Sequence, residues 1–204
     1  MAKKTKAESE ATRELLLDAA EDAFLENGVA RTSLDAIARR AGHTRGAIYW
    51  HFDDKSALFQ AMLDRVRLPL ADLVEEFAHD SGEDPVEVLR RLCAFGLQRL
   101  TDDPRHHRVY TILLLRCELV GDMNPSVESQ EQLVMEVLEL FEKQFTRARE
   151  FGHLNPAIPP AVAASALHAY MSGLVTQYLR DPAHCDLENH RDALLAAFFD
   201  WVVR

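Results

Sequence analysis

Thr32-Ser33-Leu34-Asp35-Ala36-Ile37-Ala38-Arg39-Arg40-Ala41-Gly42-His43-Thr44-Arg45-Gly46-Ala47-Ile48-Tyr49-Trp50-His51-Phe52 is the stretch on which the reading of this chain turns. Thr32-Ser33 opens a short helix, Leu34 to Ala41, and Asp35 supports its N-terminus. Leu34, Ile37, Ala38 and Ala41 give that helix one apolar face, and Gly42 closes it. Thr44 caps a second helix from Arg45 to His51, anchored by Ile48 and Phe52, which are four residues apart. Two short helices meeting at a glycine-containing turn of about three residues are a helix-turn-helix.

The anchors leave Arg45, Gly46, Tyr49 and His51 to face outward, with Arg45 and Tyr49 on one side. Arg45, near the helix N-terminus, can donate two bonds to a guanine edge. Thr44, Tyr49 and His51 carry polar tips suited to phosphates or bases. Gly46 costs a helix about 1 kcal/mol relative to alanine, which makes sense where the helix must approach a crowded surface. Lys55 adds charge at the start of the next helix, where free N–H groups can hold a phosphate. Arg31, Thr32, Ser33 and Trp50 complete the candidate DNA-contact set, although core is the preferred reading of Trp50. His51 has a second reading as a residue that satisfies a local acceptor.

A net charge of −10 argues at first against a nucleic-acid partner. Its distribution removes most of the objection. Residues 1–56 hold nine Lys/Arg against ten Asp/Glu, whereas residues 57–204 hold 14 against 23. Phosphate binding needs a local basic footprint, not a basic whole.

Working outward, nearly every segment reads as helix. Leu16, Ala20, Ala23 and Phe24 fall at helical spacing and stop at Asn27-Gly28. A longer helix is expected from Lys55 into the region of Phe77. Asp84-Pro85, Asp103-Pro104, Asn124-Pro125 and Pro159-Pro160 mark further helix starts. A last helix runs from Leu187 to Val203. No alternating run suggests a sheet. The expected fold class is all-α, with about nine helices: a three-helix DNA-binding domain over 1–55 and a helical ligand-binding and dimerisation bundle over 56–204.

Cys93, Cys117 and Cys185 are odd in number and lack metal-like spacing, so they read as reduced thiols of a cytoplasmic protein. Met1 to Lys6 lacks the apolar stretch of a secretory signal. Pro159 to Leu179 is too polar and too short for a membrane span, so no membrane partner is expected. No catalytic constellation, cofactor motif or metal-ligand set stands out. The Cys185-Asp186-His190 group lacks a second Cys or His at finger spacing, and His106-His107 between Arg105 and Arg108 reads as a solvated charged face.

The phrases Ala30-Arg31-Thr32-Ser33-Leu34, Ile37-Ala38, Ala41-Gly42, Thr44-Arg45-Gly46-Ala47-Ile48-Tyr49-Trp50-His51-Phe52 and Asp54-Lys55 resemble the signature of the TetR family of transcriptional repressors. In particular they resemble its AcrR-like branch, which controls multidrug efflux pumps. The match is specific over about residues 10–60 and looser beyond, where Arg116-Cys117-Glu118 and the Gly173 helix also look like that branch. His43 departs from the valine common there and is read as a tolerated, partly exposed residue. The resemblance implies that Thr44, Arg45, Tyr49, His51 and Lys55 touch DNA. It also implies an Ω-shaped homodimer on a pseudo-palindromic operator.

The resemblance further implies a pocket for a small hydrophobic or amphipathic effector, enclosed by helices at 55–78, 85–101, 105–119, 125–150 and 159–180. Candidate lining residues are Val66, Leu92, Gly96, Tyr110, Leu114 and Val134, then Val137, Phe141, His168, Met171, Ser172 and Val175. Each competes with a plain core role. Tyr110, His168 and Ser172 are the candidate polar contacts. The dimer is expected on the last two helices, through Tyr170, Gly173, Leu174 and Gln177 on one and Leu195, Phe198, Phe199 and Val202 on the other. Small residues there allow close helix approach, and the final helix carries more apolar surface than one body needs; the alternative is that its aromatic end only caps the subunit's own core.

The expected function is a sequence-specific repressor released from its operator by that effector and controlling an efflux-pump operon. A same-fold activator or repressor answering to a metabolite, lipid or signalling molecule is the alternative. A helical enzyme or carrier and an architectural DNA binder are weaker rivals.

Overall fold

The computed structural model describes residues 6–80, 84–117 and 124–203. Met1 to Thr5 and Glu118, on which parts of the sequence reading fall, lie outside them, as does the expected end of a helix at residue 119.

Ten helices are present among the described residues: α1 (Lys6–Asn27), α2 (Leu34–Arg40), α3 (Arg45–His51), α4 (Lys55–Asp64), α5 (Leu70–Asp80), α6 (Pro85–Asp102), α7 (Pro104–Leu115), α8 (Asn124–Glu150), α9 (Pro160–Arg180) and α10 (Leu187–Val202). The only extended pairing among them is an isolated antiparallel bridge between Leu154 and Val203.

The count exceeds the expected nine because the helix read from Lys55 to Phe77 is two. The chain tightens after α4, where the amides of Arg65 and Val66 donate three residues back, to Met62 (3.3 Å) and Leu63 (3.0 Å). Pro69 then prevents continuation, since it has no N–H and its ring disfavours the helical conformation at Leu68. The apolar periodicity continues across this break, so pattern alone reads through it.

The chain forms two compact units. The first comprises the residues up to Arg67 together with His107–Gln130. Its core joins Leu16, Leu17, Ala20 and Phe24 of α1 to Ile37, Ile48, Leu58, Phe59 and Met62, with Val109 and Ile112 from α7. Phe24 meets Phe59 edge-on, with ring centroids 6.1 Å apart. Each such side chain contributes roughly 1.5–3 kcal/mol on burial.

The second unit comprises Leu68–His106 and residues from 131 onward. α6 packs chiefly against α5 and α10. Val88, Leu89 and Leu97 of α6 are fully buried, as is Leu167 of α9. This unit bears on two expectations. Leu195, Phe198, Phe199 and Val202 are all buried within the single chain. They pack in the chain's own core, with the Arg90 guanidinium 4.9 Å from the Phe199 ring centroid, as in the alternative reading of this helix's aromatic end. Trp201 is the large apolar residue of α10 left exposed. His106, read as part of a solvated face, is also buried, its Nδ1 3.0 Å from the Asp103 carboxylate.

Candidate nucleic-acid interface

α2 and α3 are built by local chemistry. The Ser33 hydroxyl accepts from the Ala36 amide (3.2 Å) and the Thr44 hydroxyl from the Ala47 amide (3.3 Å), so each helix has its side-chain cap. Between them Gly42 takes a φ of 72°, and the His43 amide returns to the Ala38 carbonyl at 2.8 Å. His43 is partly buried in that turn.

Ile48 is fully buried and Phe52 nearly so, which fixes the inner face of α3. The other faces are open. The Arg45 side chain is 71% exposed, Tyr49 is 44% exposed and Trp50 is 81% exposed. The core reading of Trp50 is therefore overturned: two residues from the Ile48 anchor, it lies on the far side of the helix. His51 is half-buried, its ring 6.2 Å from that of Phe52.

Arg45 is held rather than loose. Its Nε lies 3.4 Å from Asp35 Oδ1, and its guanidinium carbon lies 5.3 Å from the Tyr49 ring centroid. The Asp35 contact joins residues on different helices, so neither periodicity nor motif spacing signals it.

A cleft of about 450 Å³ beside α3 is lined by Arg31, Ser33, Tyr49, Asp53, Asp54 and Lys55, among others. Arg31 and Ser33 are exposed there. The Asp54 carboxylate is committed to capping α4 through the Ala57 amide at 2.7 Å. Lys55 Nζ donates to the Val29 carbonyl at 3.3 Å. Thr32 departs from its expected role as a DNA contact. It is buried, and its hydroxyl lies 2.7 Å from the Gly28 carbonyl and 3.3 Å from that of Ala23. Its side chain closes the end of α1 and does not reach the surface.

Two features that no motif signals hold this head together. Arg65, just past α4, has a mostly buried side chain bonded to Glu14 and to Glu21 at 2.5 Å, with Asp18 at 2.9 Å. Burial alone would lower its pKa, but these carboxylates raise it above the ordinary value. Glu21 is itself buried, and Arg108 of α7 lies 2.9 Å from the neighbouring Asp22. The second feature is Val29, whose amide donates to the Arg116 carbonyl, just past α7, at 3.0 Å while its carbonyl receives Lys55.

Residues 16–62 match the family model of bacterial regulatory proteins of the tetR family, and residues 84–203 match that of the MAATS-type transcriptional repressor C-terminal region. The transcriptional repressor BepR of Brucella suis is 35% identical over 194 residues, covering 95% of this chain and 93% of BepR. The chain belongs to the TetR family. The crystal structure of NalD, the secondary repressor of the MexAB-OprM multidrug efflux pump in Pseudomonas aeruginosa, superposes with a TM-score of 0.91 at 41% identity, covering 98% of this chain and 99% of NalD. SmeT, the repressor of the Stenotrophomonas maltophilia multidrug efflux pump SmeDEF, has been solved as a triclosan complex. That structure gives a TM-score of 0.82 at 36% identity, covering 95% of this chain and 92% of SmeT.

As a TetR-family member the chain is a transcriptional regulator and not an enzyme. Among the described residues no helix is long and apolar enough to cross a membrane.

The sequence-derived effector candidates are distributed over both units. Val66 is buried in the core of the first, and Tyr110 packs against that core, where burial pushes its phenol pKa up. Leu114 is 42% exposed on the same helix. In the second unit Leu92 and Phe141 are buried; Gly96, Val137, His168, Met171 and Val175 are half-buried; Val134 and Ser172 are exposed. Two further clefts, one lined by Glu26, Asn27, Arg31, Arg116 and Cys117 and one by Asp84, Glu87, Arg90 and His153, draw on none of these twelve residues.

Of the expected dimer residues on α9, Leu174 is buried and Gln177 is exposed. The Tyr170 hydroxyl donates to the Leu194 carbonyl at 2.7 Å, and its ring stacks on Phe198 at 5.4 Å. A Cβ at Gly173 would meet nothing within 4 Å.

Proposed function

We propose that this chain is a cytoplasmic repressor that binds a pseudo-palindromic operator as a homodimer, leaves it on binding a small hydrophobic or amphipathic effector, and controls a multidrug efflux-pump operon. The observation that carries the DNA reading is the outward face of α3. Arg45, Tyr49 and Trp50 stand exposed on a helix whose inner face is fully engaged. The descriptions of NalD and SmeT support the efflux role, and the triclosan bound to SmeT supports an effector of that chemical kind.

In this reading Arg45 reads a guanine edge, Tyr49, Trp50, Thr44 and His51 contact bases or backbone, and Arg31, Ser33 and Lys55 grip phosphates. The DNA head is residues 1–55 and the effector and dimer functions lie in 56–204. The dimer would use α9 and the part of α10 left uncovered, around Gln177, Gly173 and Trp201.

The effector acts as a ligand that prefers one of two conformations, with a coupling of about 1–3 kcal/mol. A route is at hand in the first unit, since the Arg116 carbonyl, the Val29 peptide and the Lys55 ammonium form a continuous chain of bonds. The test is to map the DNA bound by the protein across its own genome, then titrate the recovered duplex with and without triclosan. Binding upstream of pump genes that weakens with triclosan is expected. Binding with no sequence preference would overturn the DNA reading, and sites confined to other operons would overturn the efflux role.

A further inference from the structure

We infer that Asp35 is a specificity-determining residue for DNA recognition, acting by positioning Arg45. This rests on the proposed guanine contact of Arg45 and extends it to a residue that touches no DNA.

Asp35 belongs to α2, one residue in from its start, and Arg45 opens α3. The ion pair between them, at 3.4 Å, runs from the Nε edge of the guanidinium to Oδ1. That oxygen is shielded from solvent and makes no hydrogen bond, so Arg45 is its one close charge partner among the described residues. The Tyr49 ring holds the same guanidinium from a second direction. The Nη1–Nη2 edge has no partner among the described residues. An arginine grips guanine O6 and N7 through two parallel N–H groups, so an end edge left open while Nε is anchored is the arrangement that readout needs.

Two consequences separate Asp35 from a merely structural residue. Anchoring cuts the conformational freedom a long side chain loses on binding, which favours the one base geometry it was set for. A carboxylate beside the recognition helix also opposes non-specific phosphate binding, which is driven by charge alone. Both effects raise the ratio of specific to non-specific affinity, and the second is a repulsive device against the wrong partner. A free arginine at this position would grip phosphates of any sequence.

The experiment compares wild type, Asp35→Asn, Asp35→Glu and Arg45→Ala, each as full-length protein. Each is selected on duplexes randomised across two half-sites about one helical turn apart. Binding to the wild-type consensus and to an unrelated duplex is then measured at fixed salt. Asp35→Asn is expected to lower discrimination at the Arg45 base position about five- to tenfold, at the low end of the range of one bidentate contact. It should also raise affinity for the unrelated duplex and leave the melting temperature near wild type. Asp35→Glu should recover the preference at least in part.

If Asp35→Asn weakens both duplexes alike with an unchanged base profile, Asp35 is structural and the inference fails. The same holds if Asp35→Asn strengthens both duplexes alike. If Arg45→Ala itself leaves the profile unchanged, the guanine contact fails, and that outcome is distinct from the first two.

Discussion

A Cβ built on Gly28 would lie 3.4 Å from the carbonyl oxygen of Arg116. Gly28 has a φ of 81°, and the next residue, Val29, takes that carbonyl as its hydrogen-bond acceptor. A side chain here would be strained by the left-handed backbone, and its Cβ would touch the chain just past α7. Gly152 shares the left-handed backbone, with a φ of 74°, but a Cβ there meets nothing within 4 Å. Each Gly→Ala change should cost about 1–2 kcal/mol in backbone strain. Operator titration should show a further defect in Gly28→Ala alone, because only there does the strained peptide adjoin the carbonyl that holds Val29. Equal operator affinities for the two variants would count against the path from α7 to Lys55.

Gly46 presents the opposite case. A Cβ on it would meet only the Thr44 hydroxyl, at an ordinary 3.9 Å. Nothing inside the chain demands glycine. Gly46→Ala should therefore stabilise α3 by up to about 1 kcal/mol, read from denaturant unfolding. Operator binding should fall in the same variant, since the added methyl would stand on the exposed side of α3 proposed to face DNA. A variant that gained stability and kept its affinity would show that α3 does not approach DNA closely at this point.

Glu21 carries a buried charge that Arg65 neutralises. Glu21→Gln should destabilise the protein by up to the roughly 3–5 kcal/mol seen when one member of a buried pair is removed, softened because Glu14 and Asp18 still hold Arg65. Paired with Arg65→Met, the loss should be well below the sum of the two single losses. Additive losses in that double-mutant cycle would mean the two residues act independently.

Asp103 accepts from the amides of Arg105 (2.8 Å) and His106 (3.4 Å) at the start of α7. Burial pushes its pKa up, but these amides and the His106 ring outweigh that and hold it below the ordinary 3.8. A carboxylate depressed on folding stabilises the protein above its unfolded value and loses that contribution as pH falls through the folded value. Asp103→Ala should therefore be less stable than wild type at neutral pH, by about 1 kcal/mol for a lost cap. The gap should close as acid unfolding curves are followed below 3.8.

Burial pushes the Cys93 thiol up to about 12. Alkylation at neutral pH, followed by peptide mass spectrometry, should modify the partly exposed Cys117 before Cys93. Labelling of Cys93 should track denaturant unfolding instead.

Much of this architecture is legible in the chain itself, for identifiable reasons. α2 and α3 have side-chain caps, a glycine turn and an apolar face at helical spacing, and all three signals agree. Local signals failed where the answer depended on what lies across the fold. Thr32 is next to a cap and looks available, yet its hydroxyl turns inward because α1 ends beside it. Trp50 looks like core by size, although the spacing of Ile48 and Phe52 already points it outward. Leu195, Phe199 and Val202 show an apolar face, and no periodicity reveals whether α6 or a second subunit covers it. The Asp35–Arg45 pair bridges a turn whose geometry the sequence does not encode as a motif.

The burial of Leu195, Phe198, Phe199 and Val202 by the chain itself bears on how this protein is made in the cell. These side chains need no second copy of the chain to cover them. In the proposed homodimer, association would then join copies that have already buried these residues. Newly made chains at low abundance would keep these side chains from aggregation and proteolysis, and the proposed dimer would add stability by mass action, so the melting temperature should rise with concentration.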